Sequence, residues 1–183
     1  MTNEIKKEER LLKVLGLVTD WLKFAESKNA MLIAFDGASI YGITKALDLD
    51  FFKESSIWSG YAIVVVILLA FSAVVSLLSF VPKLDLVSSE SILGNDEPNS
   101  IFFEHLKKQS EIAIIQAICE SEETEFSRFE KDIANQIKQN SNIASKKYSY
   151  FTIAVWITVS AYITPITAGI FAIYLYLQRK SLK

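Results

Sequence analysis

Residues 61–81 read YAIVVVILLAFSAVVSLLSFV, and no charged residue occurs anywhere from Ser55 to Pro82. A bilayer core takes about 20 consecutive apolar residues in helical form. This run is long enough, so we assign residues 57–81 to a transmembrane helix. Working outward, the surrounding sequence falls into apolar and polar blocks that agree with a membrane protein. The chain of 183 residues is 51% hydrophobic, and its mean hydropathy of +0.28 is high for a soluble domain.

A second uncharged block, YSYFTIAVWITVSAYITPITAGIFAIYLYLQ, covers residues 148–178. It exceeds one crossing, and Pro165 near its middle removes a helix hydrogen bond, which predicts a kink there. Trp156, Tyr162, Tyr174 and Tyr176 are suited to the membrane–water boundary. We read one crossing, with a re-entrant or two-pass arrangement as the alternative.

The third block, AESKNAMLIAFDGASIYG at 25–42, is the least regular, because Asp36 is its only charge between Lys28 and Lys45. That interval spans about 24 Å as a helix, short for a bilayer. Ala30, Ala34, Ala38 and Gly42 recur every four residues, a ladder that lets helices approach closely in lipid. Asn29, Asp36 and Ser39 gather on another face. Residues 29–46 are therefore expected to form a further transmembrane helix, with the acid turned toward a polar interior.

Lysines and arginines near the membrane set orientation. Lys6, Lys7, Arg10, Lys13, Lys23 and Lys28 place the N-terminus in the cytoplasm. Three crossings then put the C-terminus outside, against the preference of Arg179, Lys180 and Lys183; an extra turn around Pro165 would remove the conflict. No signal peptide is expected, since the opening MTNEIKKEERLLKVLG has no compact apolar core with a cleavage site.

The remaining segments are cytoplasmic in this reading. In 1–28, Ile5, Leu11, Leu12, Leu15, Val18, Leu22 and Ala25 form an amphipathic stripe at helical spacing. Residues 81–100 carry the prolines, serines and acids of a loop. Ser100 and Ser110 are expected N-caps. From Ser121, the side chains Phe126, Phe129, Ile133, Ile137, Ala144 and Tyr148 share one face, predicting a long helix that runs into the last crossing. No stretch alternates like a strand. The expected fold is all-α: about three transmembrane helices with a cytoplasmic helical stalk or bundle over 1–28 and 82–147.

Several functional classes find no residues to support them. The formal net charge is −2, without the basic surplus of a nucleic-acid binder. Cys119 and His105 are each the sole residue of their type, so neither a disulfide framework nor a zinc cluster is expected. The 6 glycines make no phosphate-binding loop, and the acids of ESEETEFSRFEKD (120–132) read as a solvated helix face. No catalytic constellation is expected, and no bound metal or resident cofactor.

The intramembrane polar residues carry more meaning. Ser72, Ser76 and Ser79 form one stripe, and Ser160, Thr164 and Thr167 another. Hydroxyls in lipid often bond back to their own helix, but beside Asp36 two such stripes suit a wettable path. Ionisable residues at membrane depth frequently mark ion or proton pathways.

Three stretches resemble the Pycsar effector transmembrane family, in the same order along the chain: AESKNAMLIAFDGA (25–38), NSIFFEHLKKQSEIAIIQAI (99–118) and DIANQIKQNSNIASKKYSYFTIAVWI (132–157). The last is the most specific. Carried over residue by residue, the resemblance points to Glu26, Lys28 and Asn29, then Phe102, Phe103 and His105, then Gln136, Asn140, Ala144, Lys146, Lys147 and Tyr148. Glu26 stands where the family pattern has aspartate, and Asp36 where an uncharged residue is expected. The resemblance implies an antiphage effector of the bacterial inner membrane, functionally linked to a nucleotide cyclase. Cyclic CMP or cyclic UMP would be its activating signal, and a homo-oligomer its working form. The motif residues would then form a gating collar beside the bilayer, with Glu26 pairing Lys146 or Lys147. A passive membrane-anchored helical module, or a small channel subunit without nucleotide gating, is the competing expectation.

Overall fold

The computed structural model describes residues 2–81 and 100–181. The described residues contain no strand. Their helices are α1 (Thr2–Ala46), α2 (Asp50–Glu54), α3 (Ser56–Leu78), α4 (Phe103–Leu106), α5 (Glu111–Cys119) and α6 (Arg128–Ser181). The loop expected at 81–100 lies almost wholly outside the described residues, as does Lys183.

The chain forms two compact units. One comprises Met1–Ser27 and Val81–Ser149, the other Lys28–Phe80 and Tyr150–Lys183. α1 and α6 each contribute to both.

In the first unit, Leu11, Val14 and Val18 of α1 pack with Leu106, Ile114 and Ile115, and with Ile133 and Ile137 of α6. Burial of these side chains supplies the main stabilisation, about 1.5–3 kcal/mol for each large aliphatic residue. The stripe on α1 is narrower than its sequence suggests. Leu11, Val18 and Ala25 are buried, whereas Ile5 and Leu12 are exposed, because Leu12 lies about 100° around the helix from Leu11. Phe129 likewise points away from the face that buries Phe126, Ile133, Ile137 and Ala144.

Local signals explain the helix ends. Ser110 caps α5, its hydroxyl accepting from the Ala113 N–H at 3.2 Å. Ser100 does not cap α4: Phe102 occupies that position, with no side-chain cap. The last helix starts at Arg128 rather than near Ser121. Its start is a reciprocal capping box, in which the Glu130 N–H donates to Ser127 Oγ at 3.1 Å. In return, the Ser127 N–H donates to Glu130 Oε2 at 2.8 Å. Two orphan donors of the first turn are satisfied together, which fixes the start there. α6 continues through Pro165 to Ser181, so this segment does not turn back as a two-pass arrangement would require.

The second unit buries Val65, Leu69 and Ala161, with Ile40, Ile43, Leu68 and Tyr162 against them. Its outer surface is apolar. Along α3, Ile57 is 72% exposed, and Ile63, Val64, Ile67, Phe71 and Val74 also point outward. A soluble core helix of this composition would hide those side chains; α3 hides only a minority of them, the pattern expected where lipid replaces water. α3 and the Arg128–Phe171 part of α6 are long and apolar enough to cross a membrane. Residues 29–46 do not reach that measure, for the Asp36 segment is short and interrupted by its acid. The small-residue ladder Ala30, Ala34, Ala38 and Gly42 is exposed, while Asn29 and Asp36 face the interior of the unit.

Candidate functional site

Asp36 continues the buried stripe of α1: Leu11, Val18 and Ala25 are followed at helical spacing by Asn29 and Asp36, all fully buried. Where the first three positions hold hydrocarbon, the last holds a carboxylate. Partners for it come from two other helices of the second unit. Thr158 Oγ1 of α6 lies 3.0 Å from Asp36 Oδ1. Ser72 Oγ of α3 lies 2.8 Å from Thr158 Oγ1 and 3.0 Å from the Ala154 carbonyl oxygen. Asp36 and Ser72 are 0% exposed, and Asp36 Oδ2 is buried without a hydrogen-bond partner. One carboxyl, two hydroxyls and a main-chain carbonyl thus knit α1, α3 and α6 together.

The two expected hydroxyl stripes differ in placement. Ser72, Ser76 and Ser79 are buried, and Ser76 Oγ finds no partner. Ser160, Thr164 and Thr167 are exposed, and their hydroxyls donate to carbonyls of their own helix, Trp156, Ser160 and Ile163. Ser39 is half-buried. The residue that reaches Asp36 from α6 is Thr158, which sequence reading passed over. Its signal was the spacing of Ala154, Thr158 and Ala161, small residues at i, i+4 and i+7, which mark the packed face of α6.

The family-motif residues assemble mainly in the first unit. Lys147 Nζ sits 3.0 Å from Glu26 Oε1, with Lys147 13% and Glu26 44% exposed. Beside them the Phe103 and Tyr148 rings stack, with centroids 5.3 Å apart and planes 12° from parallel. Trp21 closes on both, at 5.9 Å and 6.4 Å. Phe102 lies 4.8 Å from Phe103 and 5.9 Å from the His105 ring. Lys107 bonds Glu104 Oε2 at 2.6 Å and also donates to Ser145 Oγ. Burial works to raise the Glu104 carboxyl, but hydrogen bonds from Lys107 and Ser145 and the charges of Lys107 and Lys108 outweigh it, so it titrates below its ordinary range. Trp21, Glu104, Lys107 and Ser145 were not anticipated as members of this cluster. Of the others, Gln136 is exposed, Asn140 and Lys146 are half-buried, and Lys28 belongs to the second unit, its ammonium 5.4 Å from the centre of the Phe151 ring.

A cleft of about 710 Å³ also opens in the first unit, lined by Lys6, Lys7, Arg10 and residues 119–123. Lys7 Nζ meets Glu123 Oε2 at 2.6 Å, which raises the lysine above its ordinary value. Arg10 lies 3.8 Å from Glu120. Burial, with the Glu130 charge, pushes the Cys119 thiol up, so it is protonated at neutral pH and a weak nucleophile. The described residues hold no cluster of metal-ligating side chains.

A family model for the Pycsar effector protein domain matches residues 10–175, a span that takes in the Asp36 network, the Glu26–Lys147 cluster and most of the cleft. The Pycsar effector protein PtPycTM of Propioniciclava tarda is 30% identical over 142 residues, 74% of this chain. The match spans 65% of that relative's length. No solved structure matches. With a family model covering nearly the whole chain, this protein belongs to the Pycsar effector protein domain family.

Proposed function

We propose that this chain is an antiphage effector that damages the bacterial inner membrane when a cyclic pyrimidine nucleotide, cyclic CMP or cyclic UMP, signals infection. The observation that carries the reading is the Asp36–Thr158–Ser72 network, within helices whose outer faces are apolar. A chain meant only as an anchor has no use for a buried acid, which must be desolvated or neutralised to sit there. The same contacts support a third crossing by residues 29–46, since Asp36 reaches Ser72 and Thr158 only if α1 lies beside α3 and α6. The N-terminus is then cytoplasmic, by the lysine and arginine count.

The working form is a homo-oligomer. Ile5, Leu12, Leu17, Phe24 and Phe129 of the first unit are exposed, and another copy of the chain is the partner that would cover them. The signal enters at the cleft beside Lys7 and Arg10, where a nucleotide phosphate competes with Glu123 and Glu120 for the cations. A ligand shifts a conformational equilibrium only by its differential affinity for the two states; exchanging these ion pairs supplies that difference. Such a role is a binding and membrane function, not an enzymatic one.

Expression in bacteria carrying a voltage-sensitive dye tests the proposal. Depolarisation that requires cyclic CMP or cyclic UMP is expected. A membrane potential unchanged under every nucleotide would instead leave the chain as a passive anchor.

A further inference from the structure

In the second unit, Asp36, Thr158, Ser72 and Ala154 are joined by three oxygen–oxygen contacts of hydrogen-bond length, with too few protons to make them if the acid is ionised. Asp36 Oδ1 to Thr158 Oγ1 is 3.0 Å, Thr158 Oγ1 to Ser72 Oγ is 2.8 Å, and Ser72 Oγ to the Ala154 carbonyl is 3.0 Å. Each contact needs one proton between its oxygens. A carboxylate and a carbonyl only accept, and the two hydroxyls bring one proton each. If Asp36 is ionised, Thr158 donates to it and Ser72 donates to Ala154. The shortest contact, between the hydroxyls, is then left with lone pairs facing each other. The chain is short by one proton.

We propose that Asp36 carries that proton, and that the packed core of α1, α3 and α6 is a proton-binding site. With the acid protonated the chain runs in one direction: Asp36 O–H donates to Thr158 Oγ1, Thr158 to Ser72 Oγ, and Ser72 to the Ala154 carbonyl. Every donor is used once. The Ala154 carbonyl keeps its second lone pair for the helix bond from the Thr158 N–H.

Two independent observations agree. Asp36 Oδ2 is buried with no donor, which is costly for half of a carboxylate and much less so for the carbonyl oxygen of a neutral acid. Nor, among the described residues, does any cation face it. α3 contains no Asp, Glu, Lys, Arg or His, and Tyr61 is its one ionisable side chain. From α6, residues 150–178 belong to the unit, and tyrosines are their only ionisable groups. On α1 itself the nearest charges are Lys28, over the Phe151 ring, and Lys45, over the Tyr41 ring, each more than two helical turns away. The proton is bound when the three helices pack and released when they part, because water can then solvate the carboxylate.

Infrared spectroscopy of the full-length protein in phosphatidylethanolamine–phosphatidylglycerol vesicles at neutral pH tests this without reference to toxicity, so it stands or falls apart from the antiphage reading. The expected result is a carboxylic-acid C=O band that shifts in D2O, shifts with 13C-labelled aspartate, and disappears in Asp36→Asn. Thr158→Val, which keeps the acid but removes its acceptor, should move the band to the frequency of a less hydrogen-bonded acid. Should Asp36→Asn fail to fold, the label and Thr158→Val still decide. No labelled acid band at neutral pH, or a band unmoved in Thr158→Val, overturns the proposal. So does a band that vanishes in sodium chloride and returns in choline chloride, which would make the ligand a sodium ion.

Discussion

Lys147 and Glu26 face each other at 3.0 Å, with the lysine largely covered and the glutamate near half exposed. A pair this open to solvent contributes about 0–1 kcal/mol, so its effect should lie in position rather than stability. Glu26→Lys and Lys147→Glu are each expected to reduce toxicity on induction in the presence of the cyclic nucleotide, with little change in melting temperature. The double exchange should restore toxicity, read as colony survival. A double variant as inactive as the single ones would remove the pair from any gating role.

The hydroxyls of α6 divide into two classes. Thr158 bonds across helices, while Ser160, Thr164 and Thr167 bond to their own backbone. Thr158→Val should therefore destabilise the detergent-solubilised protein by about 1 kcal/mol, the scale of a hydrogen bond between membrane helices. Ser160→Ala should leave it within about 0.5 kcal/mol. Equal losses in the two variants would mean that the cross-helix bond contributes nothing of its own.

Lys7 and Arg10 offer a direct check on where the signal binds. Each is held by a glutamate across the cleft. Lys7→Ala with Arg10→Ala should abolish depolarisation by the nucleotide while leaving the amount of membrane-inserted protein unchanged, measured by fractionation. A full nucleotide response in that variant would place the signal elsewhere.

Glu104 sets an acid limit on the first unit. Its carboxyl titrates below its ordinary 4.5, so the folded state favours the ionised form. That contribution is complete above the unfolded value and is lost as pH falls through the lower, folded one. Stability should decline with acidity below about pH 4.5 in the native protein, and Glu104→Gln should flatten that part of the curve while lowering the plateau at neutral pH. Thermal unfolding followed by circular dichroism from pH 3 to 7 would show it. Parallel curves for the two proteins would count against the Glu104–Lys107–Ser145 cluster.

Helix content was legible in the sequence wherever a period or a long apolar run dominated, as in residues 56–78 and along the Leu11–Val18–Ala25 stripe. The start of α6 was missed because Phe126 continues the apolar spacing. The Ser127–Glu130 capping box, written in the sequence as S-x-x-E, decides the boundary instead. At the candidate site, Asp36 and Ser72 stood out because polar groups are rare in apolar runs. Thr158 did not, for a threonine that bonds across helices and one that bonds to its own carbonyl look identical without a third dimension. The Trp21–Phe103–Tyr148 rings come from three distant segments, and no local pattern predicts their meeting.

Glu120 gives the remaining test, because it holds a conformation its side chain disfavours. It ends α5 in the left-handed region at φ 51°, the one such non-glycine residue among those described. Glycine takes that position without the steric cost of about 1 kcal/mol that a Cβ incurs. Glu120→Gly should accordingly raise stability by about 1 kcal/mol, less the small contribution of an exposed pair with Arg10 at 3.8 Å. Strain of this kind persists where a side chain is needed at that place, and Glu120 lines the cleft. The variant is thus expected to be more stable yet altered in its response to nucleotide, compared by thermal melting and by dye-reported depolarisation. Gained stability with an unchanged dose response would reduce Glu120 to a helix terminator, and no gain at all would show that the Arg10 contact already offsets the strain.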